Sequence, residues 1–224
     1  MTDAILKSMP TLNTKNLTLR DVHRLLGFQR RSNNSFTSLL SLEPITEFEQ
    51  QELEQIRDDF DNYLSAGKVS EGQVKFLAVA PLMRLSGFYR SPIEISLEEG
   101  IEEILVEDEE ILITGRMDIL AVSNAQPGTT ISRFWVLVLE SKNSTVEVFE
   151  GLPQLLTYAF KTLEQQESVW GVATNGLRYQ FVYLQPGTPP TYQLMPELNL
   201  VSSERSVQLL QVMKAICKLE RRGE

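Results

Sequence analysis

Two apolar runs constrain this chain more than any other feature, because each delivers charge at one end: 111–122 (ILITGRMDILAV) and 133–142 (RFWVLVLESK). Continuous apolar runs of this length read as strands buried on both faces, as in a sheet covered by helices. Asp118 stands in the first run, and Glu140 and Lys142 close the second. Charge in such a place is expensive to desolvate, so these groups need one another, or a metal ion, as partners. Glu140 and Lys142 are two apart, so on a strand both face one way, ~7 Å apart along the chain, while Ser141 faces the other. The polar connection 123–132 (SNAQPGTTIS) is a loop that can close a hairpin, which sets Asp118 on the neighbouring antiparallel strand. Two carboxylates and one ammonium then converge at one edge of the sheet. Gly115, inside the first run, predicts a bulge or the close approach of a ligand.

Composition removes the competing chemistries. One cysteine, Cys217, excludes an internal disulfide framework and a thiolate zinc cluster, and one histidine, His23, argues against His-rich metal sites and serine or cysteine triads. The net charge of −9 argues at first against a nucleic-acid partner. Nine of the 30 acidic residues, however, lie between Glu94 and Glu110; the 21 that remain equal the 21 basic residues. The acidity is local, and a basic groove can exist elsewhere. No apolar run reaches the ~20 residues that span a bilayer, and the N-terminus has no signal-peptide pattern, so the expectation is a cytoplasmic protein without a membrane partner.

In chain order, residues 1–16 are polar and 17–28 is helical in spacing, with Gly27 as its stop. The segment 30–35 (RRSNNS) reads as a loop whose Arg30 and Arg31 are solvated connectors. Thr46 and Glu49 form a capping box for a helix that Gly67 ends. A second helix starts at Ser70, is kinked or divided by Pro81, and stops at Gly87. From Ile93 the pattern turns to strand: 93–97 alternates, and 98–110 is a turn-rich acidic edge that discourages sheet-to-sheet association. Residues 149–166 read as a helix, 169–184 as a hairpin turning at Asn175-Gly176, and 185–194 as an irregular connection. An amphipathic helix from Ser203 closes the chain, with Val207, Leu210, Met213 and Cys217 on its apolar side. The order predicts an α/β fold with a mixed central sheet flanked by helices.

Two oxygen ligands with open positions suit Mg²⁺, with Mn²⁺ as a substitute; such an ion keeps several waters and accepts substrate phosphate oxygens. It would polarise a scissile phosphate and acidify a bound water, with Lys142 placed to orient that water or to stabilise developing charge. This is the chemistry of metal-assisted phosphodiester hydrolysis.

Asp118 followed by Glu140-Ser141-Lys142 resembles the D…(D/E)xK signature of the restriction-endonuclease-like PD-(D/E)xK nuclease superfamily. The segment Gln154-Leu-Leu-Thr-Tyr158 is similar to the QxxxY motif of its recombination-nuclease branch. The twelve-residue step from Lys142 to Gln154, GRMDI before the loop and ATNGLRYQFVY after the helix resemble the N-terminal nuclease domain of type I restriction enzyme R (motor) subunits. The resemblance covers 70–184. It implies a restriction-endonuclease-like domain over 67–224, preceded by an N-terminal helical extension over 1–66. It implies a deoxyribonuclease, of endo- or exonucleolytic mode, in which Asp118 and Glu140 ligate Mg²⁺, Lys142 is the catalytic lysine, and Gln154 and Tyr158 contact the DNA backbone or orient the active site. Glu71 matches an acidic residue in the first helix of this branch, a further indirect metal contact. The chain departs from the family in having Met117 where the wider superfamily often has proline, and in carrying no Walker-type glycine loop, so no nucleotide cofactor or motor is expected. Double-strand cleavage with one site per chain would take a homodimer.

Each feature has a plainer reading: a surface ion pair for Glu140 and Lys142, boundary residues of a helix for Gln154 and Tyr158, and a helix-start acid favoured by the dipole for Glu71. His23 and Cys217 read as packing or surface residues, and Trp135 and Trp170 as core. The alternative function is a catalytically inactive nuclease-fold module that binds DNA or a protein partner; an enzyme acting on RNA is a third reading.

Overall fold

A computed structural model describes residues 9–32, 35–124 and 133–219. Most of the expected loop at 123–132, the polar N-terminus up to residue 8 and the last five residues lie outside that range. Among the described residues the strands form two sheets. The larger, eight-stranded sheet runs in the order β2 (Gln29–Arg31), β10 (Thr191–Leu194), β9 (Arg178–Gln185), β8 (Val169–Thr174), β7 (Arg133–Ser141), β6 (Ile119–Asn124) and β3 (Ile93–Leu97), with β11 (Leu198–Asn199) also pairing to β9. Two pairings, β7 with β8 and β2 with β10, are parallel; the others in this sheet are antiparallel. The smaller sheet is β1 (Thr11–Asn13), β5 (Ile111–Thr114) and β4 (Ile104–Val106).

Alternation along the central strands builds the two layers. Ile119 and Ala121 of β6, Leu137 and Leu139 of β7, and Trp170 and Val172 of β8 face one core. The helices on that side are α2 (Glu47–Ser65), α3 (Glu71–Val74), α4 (Ala80–Ser86) and α6 (Ser203–Leu219). Leu120, Val122, Val138, Val169 and Ala173 face the opposite core, under α1 (Leu19–Leu26) and α5 (Leu152–Phe160). The fold is therefore α/β, a mixed sheet with helices on both faces. None of the described helices is long and apolar enough to cross a membrane.

Three expectations change. The run 111–122 is two strands in two sheets, not one central strand. Between β5 and β6 the backbone pairs with the acidic segment instead: Ile101 donates to Gly115, Met117 to Glu99 and Glu98 to Asp118 at 2.8–3.1 Å. Gly115 does mark a close approach, but by protein: an added Cβ would lie 2.2 Å from Thr14 Oγ1. The acidic stretch is accordingly more than an edge, since it also supplies β4. Second, the residues before 67 are not purely helical, because β1 and β2 join the two sheets; Arg30, expected in a loop, pairs with Tyr192. Third, the expected division of the second helix falls just before Pro81 and not at it: a π-helical turn, Lys75–Val79, separates α3 from α4 and leaves Pro81 in the first turn of α4.

Smaller differences have local causes. The 149–166 helix is α only over Leu152–Phe160, flanked by 3₁₀ turns at Val148–Gly151 and Thr162–Glu164. The hairpin at Asn175-Gly176 forms, but with Thr174 opposite Tyr179 the loop is wider than a two-residue turn. Asn175 Oδ1 accepts from the amides of Leu177 and Arg178, at 3.2 and 2.9 Å. Gly176 has φ +86°, and a Cβ there would sit 2.4 Å from Phe60. Cys217 and Trp170 are buried, as expected of packing residues, whereas Trp135 is only partly buried and His23 bonds the Tyr192 hydroxyl at 2.9 Å.

Candidate active site

The site lies where β7 ends. The pairing of Ile119 with Leu139, continued by one residue, sets Asp118 opposite Glu140. Asp118 does not continue the strand. Its Oδ2 accepts the Ser141 amide at 2.7 Å and the Ser141 hydroxyl at 2.9 Å, replacing the ladder bond that the strand break removes. Ser141, expected to face away from the charges, thus anchors one of them. The amide of Lys142 donates to Thr174 O at 2.8 Å, and Asn175 Nδ2 donates to Val146 O at 3.0 Å. The TNG hairpin therefore fixes the backbone at the end of the charged segment and four residues beyond it.

Glu140 and Lys142 share a face, as the period of two requires. Lys142 Nζ donates to Glu140 Oε1 at 2.6 Å and to Gln154 Oε1 at 2.6 Å. Gln154 Nε2 in turn donates to Tyr158 Oη at 2.9 Å, one helical turn on along α5. Thr14, from the 3₁₀ turn Thr14–Asn16, donates to the same Tyr158 oxygen at 3.5 Å. Gln154 and Tyr158 are buried, 4 % and 1 % exposed. Of the two roles implied for them, orienting the site fits this burial and direct contact with a DNA backbone does not. Gly151 lets α5 start against the carboxylate, since a Cβ there would stand 3.1 Å from Glu140 Cγ.

Glu140 is 2 % exposed, and its Oε2 has no hydrogen-bond partner among the described residues. Burial pushes its carboxyl up to about 7, and the negative charge of Asp118 adds to this while Lys142 opposes it. Burial likewise raises the Tyr158 hydroxyl, helped by the charge of Glu140. An unpartnered buried oxygen beside a second carboxylate is a donor set that a divalent cation fits. Asp118 and Glu140 would hold it.

Sequence reasoning missed Lys75. Its Nζ lies 3.0 Å from Asp118 Oδ1, 3.0 Å from Glu71 Oε1 and 3.4 Å from Glu98 Oε1. Burial works against its charge, yet the bonds to Asp118 and Glu71 hold the ammonium above the ordinary lysine range. Glu71, expected as a further metal contact, reaches Asp118 only through this lysine. Among the described residues no three Asp, Glu, His or Cys side chains are arranged to hold an ion together. The signal available in the sequence was the four-residue step from Glu71 to Lys75, a common helical ion pair whose third partner only folding supplies.

No protein-family model matches the chain, and neither does any curated protein. Among solved structures it is similar to a fragment assigned as the HsdR subunit of a type I restriction enzyme from Vibrio vulnificus YJ016, at 19% identity and a TM-score of 0.38. The match covers 64% of this chain and 25% of that one, a distant likeness that by itself fixes neither fold family nor activity.

Proposed function

We propose that the chain is a divalent-cation-dependent phosphodiesterase acting on DNA, built on a restriction-endonuclease-like site. The observation that carries this reading is the buried Glu140, with one oxygen unpartnered and the other held by a lysine that Gln154 and Tyr158 hold in turn. A structural ion pair would leave no buried carboxylate oxygen unmet, because that omission costs roughly 1–3 kcal/mol or more. A Mg²⁺ ion bound there would polarise the phosphate and acidify a water. Lys142 keeps an ammonium beside the reacting centre, 19 % exposed and so accessible to a phosphate oxygen. Gln154 keeps that ammonium from rotating away. Two chains acting together would cut both strands.

A second reading is a catalytically inactive nuclease-fold module that binds DNA or a protein. It draws on Asp118, whose two oxygens are already engaged by Lys75 and Ser141. Incubation of supercoiled and linear DNA with Mg²⁺ or Mn²⁺ separates the two. The nuclease reading expects nicking or cleavage that Lys142→Ala and Glu140→Ala each lower by about 10²–10³-fold, with unchanged circular dichroism. No cleavage of any DNA form, with no cation bound by calorimetry, favours the inactive module; preferential cleavage of RNA would reassign the substrate.

A further inference from the structure

We infer that Lys75 is a built-in counter-ion that stands in the cation's place at Asp118 and must leave before a divalent ion can bind. The inference rests on the cation-dependent reading above and adds a residue that decides when that cation enters.

Both oxygens of Asp118 are already engaged. Oδ2 takes two hydrogen bonds from Ser141, and Oδ1 takes the Lys75 ammonium at 3.0 Å. Glu71 holds the same ammonium at 3.0 Å. An ion bridging Asp118 to the unpartnered Oε2 of Glu140 needs Oδ1, because Ser141 is part of β7 and its amide cannot withdraw. The group that can move is the lysine. It sits on the π turn, its side chain is 24 % exposed, and it borders an open groove of about 620 Å³ that also touches Gly72, Phe76 and Leu97. Lys142 does not play this part, since its ammonium bonds Glu140 Oε1 and Gln154 Oε1 and not Asp118. Two cations drawn to one oxygen repel each other, so lysine and divalent ion compete for Oδ1. A phosphate that draws the lysine away therefore raises cation affinity, and by linkage the cation raises affinity for the phosphate backbone.

Calorimetric titration with Ca²⁺, alone and with a short DNA duplex, tests this. Lys75→Gln is expected to bind Ca²⁺ at least about tenfold more tightly than the wild-type chain, a change of about 1.4 kcal/mol. Lys75→Arg keeps the charge and should stay weak. Duplex should tighten Ca²⁺ binding to the wild-type chain and to Lys75→Arg more than to Lys75→Gln, where only direct phosphate ligation of the ion remains. Equal Ca²⁺ affinity in all three chains, or no binding by any, overturns the inference. Should Lys75→Gln fold poorly, the ¹⁵N resonance of the lysine ammonium, assigned against Lys75→Arg, is followed in the wild-type chain. It is expected to shift to a solvent-like position as Ca²⁺ saturates, and an unmoved signal at saturation overturns the proposal. Mg²⁺-dependent cleavage together with equal affinities removes the counter-ion and leaves the nuclease. Tighter binding by Lys75→Gln with no cleavage by any chain removes the nuclease and leaves the counter-ion.

Discussion

The site has two lysine–carboxylate pairs, and they differ in what surrounds them. Lys142 and Glu140 are locked on the α5 side of the sheet by Gln154 and Tyr158, and Glu140 is almost wholly buried. Lys75 and Asp118 stand at the opposite rim, where the lysine shares itself among three carboxylates and 46 % of the Glu71 side chain is exposed. Electrostatics favours ion pairing in both pairs, but their freedom differs. The buried pair stores an unmet oxygen inside a rigid relay, whereas the rim pair is complete but can open. A cation site assembled from one carboxylate of each pair would join a fixed half to an exchangeable half.

The largest effect that separates the halves is the stability cost of Glu140. Its carboxyl is raised in the folded chain, from 4.5 to about 7. The folded state therefore holds that proton more tightly than the unfolded state does. The stabilisation is fully present below pH 4.5 and is lost as pH rises through about 7. In chelator at pH 8, Glu140→Gln should be more stable than the wild-type chain by roughly 3 kcal/mol, and the gap should close towards pH 5. Urea unfolding across that range checks it; a gap independent of pH would mean that the Glu140 charge is already compensated.

Next in size is the relay. Tyr158→Phe removes the acceptor of the buried Gln154 amide and should cost about 1–3 kcal/mol in stability. It should also lower kcat more than it changes KM, because Gln154 positions Lys142 without touching substrate. Equal loss of binding and turnover would place Tyr158 against the substrate instead. The smallest effect belongs to the rim. Glu71→Gln removes one arm of a half-exposed ion pair and should change stability by less than about 1 kcal/mol, seen as a small shift in thermal midpoint. A loss as large as that of Tyr158→Phe would erase the distinction between the halves.

The sequence alone determined the fold class and most of the fixed half. Apolar runs ending in charge can be buried only where partners meet them, and a period of two puts Glu140 and Lys142 on one face whatever the tertiary arrangement. The four-residue step from Gln154 to Tyr158 is equally local. The exchangeable half was not legible in this way. Splitting 111–122 between two sheets depended on Thr14 filling the space that Gly115 leaves, a contact between residues a hundred positions apart. Joining Lys75 to Asp118, and turning Ser141 from a bystander into its anchor, likewise depended on a π turn and a strand break. Periodicity cannot register these, because it reports which face a residue takes and not which distant partner arrives there.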